Sequence, residues 1–171
     1  QSGTDAASYA GGTLNMRTPL LTGEAGSFMA YRAGGGLTVS APAGVAPADP
    51  VTIDALGAEV RLAGQSVTVD TSVALPSGRL VLEAEDDIVL TDRADIDLSG
   101  RTLQFFDVTK HSWGGDLLME STDGAIRQAG GSTIDVSATR NDGGSITATA
   151  TGDNGLVDLE GTLRGSALAG F

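Results

Sequence analysis

Six times along the chain a turn or loop gives way to the same short phrase: an apolar residue, any residue, then a second apolar or small one. The pairs are Leu14 and Met16, Leu37 and Val39, Val51 and Ile53, Leu80 and Leu82, Leu117 and Met119, and Ile146 and Ala148. A repeated unit of this kind constrains architecture before any single side chain does, because each unit can bury its apolar face only against its neighbours.

Within each unit the alternation has period two, the mark of a strand with one buried face. Leu80, Leu82 and Ala84 fall on one side of Arg79 to Ala84, and Arg79, Val81 and Glu83 on the other. A turn at Glu85 to Asp87 follows, then Ile88 to Leu90, a second turn, and Ile96 to Leu98. The same triplet recurs at Leu117 to Ser121, Ala125 to Gln128 and Thr133 to Ser137. It recurs again at Ile146 to Ala150, Leu156 to Leu159 and Thr162 to Arg164. Upstream, Val51 to Ala55, Glu59 to Leu62 and Ser66 to Val69 are expected to form the same set. Starts at Val51, Leu80, Leu117 and Ile146 lie about 29, 37 and 29 residues apart, a spacing of solenoids, propellers or arrays.

Propeller blades need four antiparallel strands joined by hairpin turns, whereas these strands are short and their Gly, Asp and Asn turns recur at matched places. No helical period supplies the return of a leucine-rich repeat. The expected fold is therefore all-β, a parallel β-helix of roughly six rungs with three short strands each. A narrow interior of small aliphatics explains why 25 glycines accompany only 4 % aromatic residues. One structural domain is expected, with irregular leading coils and a Pro-rich loop over 1–50, and regular rungs over 51–171. In this division Ala41 to Pro50 bridges two registers, Gln1 to Gly12 reads as linker, and Gly165 to Phe171 carries little pattern. The start at Gln1, with no charged-then-apolar leader, is expected of a mature piece cut from a longer chain.

The formal net charge is −12, which repels phosphate backbones and argues against a nucleic-acid partner. No run approaches the roughly 18 to 20 apolar residues of a membrane helix, so membrane insertion is not expected. Without cysteine there is neither a disulfide nor a thiolate metal site, and no cofactor is expected. His111 is the sole histidine and no Gly-x-Ser-x-Gly elbow precedes a helix, so a nucleophilic triad is not expected. Gly130 to Asp135 has the outline of a calcium nonapeptide but lacks its third glycine and is not repeated in tandem.

The period breaks at Arg101 to Trp113, an insertion that holds two of the four phenylalanines, the only histidine and the only tryptophan. Insertions in a solenoid project from one face, often the binding face. The candidate binding residues are Trp113, His111, Phe105, Phe106 and Lys110: Trp113 and His111 could stack on a sugar ring, and Lys110 with Arg101 could meet an acidic group. The alternative is that Phe105, Phe106 and Trp113 fold back onto the wall as a satellite core. A ladder of Asp97, Asp135 and Arg164 is expected on a solvated face, partly neutralised at one end. Carboxylates concentrate at Glu83, Glu85, Asp86, Asp87, Asp92, Asp95 and Asp97. Two of them could meet the spacing of roughly 5 to 9.5 Å that glycoside hydrolysis needs, yet most sit at turns, where Asp is favoured for local hydrogen bonds.

The run from Val108 to Gly165 resembles the repeat region of bacterial filamentous-haemagglutinin-family exoproteins. Ser112-Trp113-Gly114-Gly115-Asp116, Ile134-Asp135-Val136-Ser137, GGSITATATG and LVDLEGTLRG carry the likeness, and GGTLNMRTPLLTGEAGS at Gly11 to Ser27 looks similar. The resemblance implies a long right-handed β-helix, secreted or held at the bacterial cell surface, exported by an outer-membrane transporter and used for adhesion or as a stalk. It implies a host receptor or glycan as ligand and supplies no catalytic residues. Two functions follow: a structural or adhesive segment, and a carbohydrate-binding or polysaccharide-degrading β-helix with acids at Glu83 to Asp97. Open strand edges in such a stack would favour end-to-end self-association.

Overall fold

The computed structural model describes residues 11–167; of the stretch expected as linker, 1–12, and of the close with little pattern, 165–171, residues 1–10 and 168–171 lie outside them. In chain order the elements are β1 (Leu14–Arg17), β2 (Leu20–Thr22), β3 (Phe28–Arg32), β4 (Leu37–Ser40) and a 3-10 turn (Pro50–Thr52). They continue with β5 (Glu59–Gly64), β6 (Val67–Asp70), β7 (Ser72–Ala74), β8 (Arg79–Ala84), β9 (Ile88–Leu90) and β10 (Asp95–Asp97). After β11 (Thr102–Phe105) and β12 (Val108–His111) come β13 (Asp116–Ser121), β14 (Ile126–Gln128) and β15 (Thr133–Asp135). Last are β16 (Ile146–Ala150), β17 (Val157–Leu159) and β18 (Thr162–Arg164).

Among the described residues all but two strands lie in three parallel sheets. The first runs β1-β4-β6-β9-β14-β17, the second β2-β7-β10-β15-β18 and the third β3-β5-β8-β13-β16. From β5 onward the chain visits the third, first and second sheets in strict rotation, so each strand pairs with the one from the preceding circuit. This all-β arrangement of short parallel strands is compatible with a β-helix. The exception is β11–β12, an antiparallel pair between β10 and β13.

Register turns the sequence repeat into columns. On the third sheet Val60, Leu80, Leu117 and Ile146 are successive partners, followed on the same face by Leu62, Leu82, Met119 and Ala148. Leu37, Val67, Ile88 and Ile126 do the same on the first sheet, and Val73, Ile96 and Ile134 on the second. These residues are almost wholly buried up to the last strands. At about 1.5 to 3 kcal/mol for each large aliphatic side chain removed from water, the columns supply most of the cohesion of a chain with few aromatic rings.

Two expectations are corrected. Val51 does not begin a rung: it lies in the 3-10 turn and is 65 % exposed. Asp49 caps that turn by accepting the Val51 amide at 3.0 Å, and Pro50 at its start withholds a ladder donor. The triplet at this level is instead β5, β6 and β7. The leading residues are not irregular throughout either, since β1 pairs with β4 and β3 with β5 in full register. What is irregular is the Pro-rich stretch after β4. The second sheet gains no strand there, β2 pairs directly with β7, and the 3-10 turn packs as a strap against β7 and β10.

Candidate functional site

The insertion at 101–113 is a two-stranded hairpin. Thr102 pairs with His111, Leu103 with Lys110, Gln104 with Thr109 and Phe105 with Val108, leaving Phe106 and Asp107 as the turn. Paired residues share a face, so the hairpin is two-sided. One side is polar and bonded across the strands, with Thr102 Oγ1 3.0 Å from His111 Nδ1 and the Thr109 hydroxyl donating to Gln104 Oε1 at 2.7 Å. The other side carries Leu103, Phe105, Val108 and Lys110. Phe105, Phe106 and Trp113 are 52, 101 and 57 % exposed, so they do not form the satellite core that clustered aromatics suggest. The two strands satisfy each other's backbone, and nothing draws the rings back to the wall.

The root of the hairpin is fixed. The Ser112 hydroxyl accepts from the Arg101 amide at 2.7 Å, and the Ser112 amide donates to the Arg101 carbonyl at 2.9 Å. The Ser77 hydroxyl lies 2.7 Å from the Ser112 hydroxyl and 2.6 Å from the Trp113 carbonyl. Asn141 donates to the His111 carbonyl at 2.8 Å. Of the five candidate binding residues, Phe105, Phe106 and Lys110 therefore sit along the arm, and His111 and Trp113 at its root.

Arg101 does not face outward to meet an acidic ligand. It is 9 % exposed and binds Asp97 through Nη2 at 2.8 Å, the Ser99 hydroxyl through Nη1 at 2.7 Å and the Ile53 carbonyl through Nε at 2.9 Å. It thus ties β10, the strap and the hairpin root together. The expected Asp97–Asp135–Arg164 ladder exists in register, yet Asp97 is buried rather than solvated. Asp97 and Asp135 each accept the amide of the serine two residues on at 2.9 Å, which ends the strand in an Asx turn.

The strap creates two clefts over the outer face of the second sheet. One, of about 420 Å³, has Pro47, Asp49, Asp92, Arg93 and Asp95 among its walls. The other, of about 210 Å³, includes Val51, Asp97, Asp135 and Arg164. Asp95 and Thr133 line both. Burial holds the Asp95 carboxyl above the ordinary aspartate range, with Asp97 and Asp49 adding repulsion and Arg164 partly offsetting it.

The other acids of the Glu83 to Asp97 run scatter. Glu83 on the third sheet meets Arg61 at 3.5 Å, Asp87 at a corner meets Arg127 at 3.0 Å, and Glu85 and Asp86 are exposed. Asp92 accepts the Gly131 amide at 2.8 Å, so the calcium-like Gly130 to Asp135 stretch is stitched to its neighbour as a corner. Among the described residues no group of three or more His, Asp or Glu side chains could hold a metal ion. Asp49, Asp135 and Arg164 enter the clefts without having been legible as cleft residues, since their meeting depends on where the strap lands. The cap signal of Asp49 before Pro50 was the one local hint. No family model, curated protein or solved structure matches the chain.

Proposed function

We propose that this chain is a structural and adhesive segment of a right-handed parallel β-helix, roughly six rungs of three short strands. Its parent would be a large secreted or surface-held bacterial exoprotein of the filamentous-haemagglutinin kind, exported through an outer-membrane transporter. One observation carries the reading: equivalent residues lie in single-strand register through three parallel sheets, while outside the two strap clefts the charged pairs, such as Arg61–Glu83 and Arg127–Asp87, sit apart on separate sheets and corners. Such a stack gives length and stiffness, and the hairpin is its one irregular projection among the described residues, a place for contact with a host receptor or glycan.

A second reading, a carbohydrate-active coil, is favoured by the carboxylates that the strap gathers. Asp95 lies at the junction of two clefts whose walls also carry Asp49, Asp97 and Asp135, and paired carboxyls across a cleft are what glycoside hydrolysis needs. One experiment decides between the two. Wild type, Asp95→Asn and Trp113→Ala are incubated with polyuronides and neutral glycans, and released reducing or unsaturated ends are measured. No release above the blank is expected from any of them. Release by wild type that Asp95→Asn abolishes would overturn the structural reading.

A further inference from the structure

The hairpin spends stability on its own exposure. A lone two-stranded hairpin with one apolar face is marginal in water, and here Leu103, Phe105 and Val108 line that face, Leu103 half-buried and Phe105 and Val108 exposed. At the tip Phe106 holds φ at 52°, a left-handed backbone that glycine or asparagine adopts freely and a bulky residue does not. The residue placed there is a fully exposed aromatic.

Elsewhere on the surface lies an open groove of about 580 Å³, whose walls include Thr22, Gly23, Glu24, Met29, Ile53 and Ala55. Ile53 is the residue whose carbonyl accepts from Arg101 Nε at 2.9 Å, so arm and groove hang from one anchor. The arm does not fold into its own groove, because Phe105 and Phe106 are exposed.

We infer that the hairpin tip seats in the groove of a second copy, and that the exchange is reciprocal about a two-fold axis. Two-fold symmetry makes the exchange reciprocal: the rotation that brings one tip to the partner's groove brings the partner's tip to this one, as an isologous dimer requires. Phe105, Phe106 and Val108 meet the apolar wall at Met29, Ile53 and Ala55. Lys110, the only lysine in the chain, flanks the apolar face of the arm and meets Glu24 at the groove. Phe106 is free and Phe105 and Val108 are half covered, so a tip has about 350 Å² to bury at the usual area of such side chains. The groove is smaller than the tip, and both arms with both grooves give roughly 1,000 Å², the low end for a specific interface and the size of a weak, concentration-dependent dimer. The inference does not depend on the adhesive reading.

Sedimentation equilibrium between about 1 and 300 μM tests it. Wild type is expected to dimerise in this range. Phe106→Asn, which also suits the left-handed turn and so keeps the fold, and Ala55→Arg, which blocks the groove, are each expected to weaken association at least about tenfold. Lys110→Glu weakens it, and adding Glu24→Lys to that variant restores it. A wild type that stays monomeric, or a dimer indifferent to both Phe106→Asn and Ala55→Arg, would overturn the inference. So would a monomer that sediments with phosphatidylcholine vesicles only when Phe105 and Phe106 are intact, because the tip would then serve a lipid surface.

Discussion

Replacing Arg101 with methionine is expected to cost about 3–5 kcal/mol, the usual loss when one partner of a buried ion pair is removed. In a chain of this size that lowers Tm by roughly 6–20 °C. Asp97 is 2 % exposed and would keep only its two contacts to Ser99, the amide at 2.9 Å and the hydroxyl at 2.5 Å. The strap would lose the bond at Ile53 and the longer one at Pro50, 3.4 Å. Asp54, 3.8 Å away but 71 % exposed, contributes little, because water screens such a pair. Adding Asp97→Leu to Arg101→Met should recover much of the loss, since no unpaired charge then remains inside. Urea unfolding measures both variants. A cost below about 1 kcal/mol for Arg101→Met would mean that the strap and β10 are held by something other than this residue.

Gly144→Ala is expected to be nearly as severe, about 3 kcal/mol or more. Register sets Gly78, Gly115 and Gly144 above one another, each just ahead of β8, β13 and β16. A methyl group on Gly144 would collide with the Gly115 carbonyl oxygen, one on Gly115 with the Gly78 carbonyl, and one on Gly78 with the Ala58 carbonyl. The obstacle is backbone in every case, so no rotamer change relieves it. The matching backbone contacts include Asp116 N–H to Gly78 O at 2.9 Å. Gly130→Ala is the control, because its methyl would point into open space, and it should change stability by no more than about 0.5 kcal/mol. If differential scanning calorimetry finds the two variants alike, the sheet corners do not approach as closely as this column requires.

These two positions also separate what could be read along the chain from what could not. From Leu80 onward, period-two alternation bounded by Gly, Asp and Asn turns marks β8 to β10, β13 to β15 and β16 to β18 nearly to the residue. The alternation fails at Val51 because Val-Thr-Ile is strand-like in side chains alone, while the Asp49 cap and the Pro50 backbone make it a turn. The strands read at Glu59 to Leu62 and Ser66 to Val69 are β5 and β6; the member of that set the alternation misses is β7, because Ser72-Val73-Ala74 is three residues long and carries a single large apolar side chain. The six phrases also belong to different walls: Leu14–Met16 and Leu37–Val39 lie in the first sheet, and those at Leu80, Leu117 and Ile146 in the third.

At the insertion, residue types single out the aromatics, but the hairpin itself carries no Asn-Gly or Asp-Gly turn to announce it. The role of Arg101 is legible in no local window, because it rests on the strap crossing the outer face of β10. Asp97 is in the same position. Its Ile-Asp-x-Ser setting reads as an outward strand end, and only the strap buries it.

The central claim is that successive circuits of the chain stack strand upon strand. It is tested most directly along the first sheet, where Asn15, Thr38, Thr68, Val89, Arg127 and Asp158 are consecutive partners. The chain has no cysteine, so spin labels on cysteines introduced at Asn15 and Arg127, or at Asn15 and Asp158, are unique. All three residues are exposed. Double electron–electron resonance should give narrow distributions, with backbone separations of about 19 Å for the first pair and about 24 Å for the second, four and five strand spacings. Equal separations for the two pairs, or broad distributions centred well beyond those values, would contradict the stack.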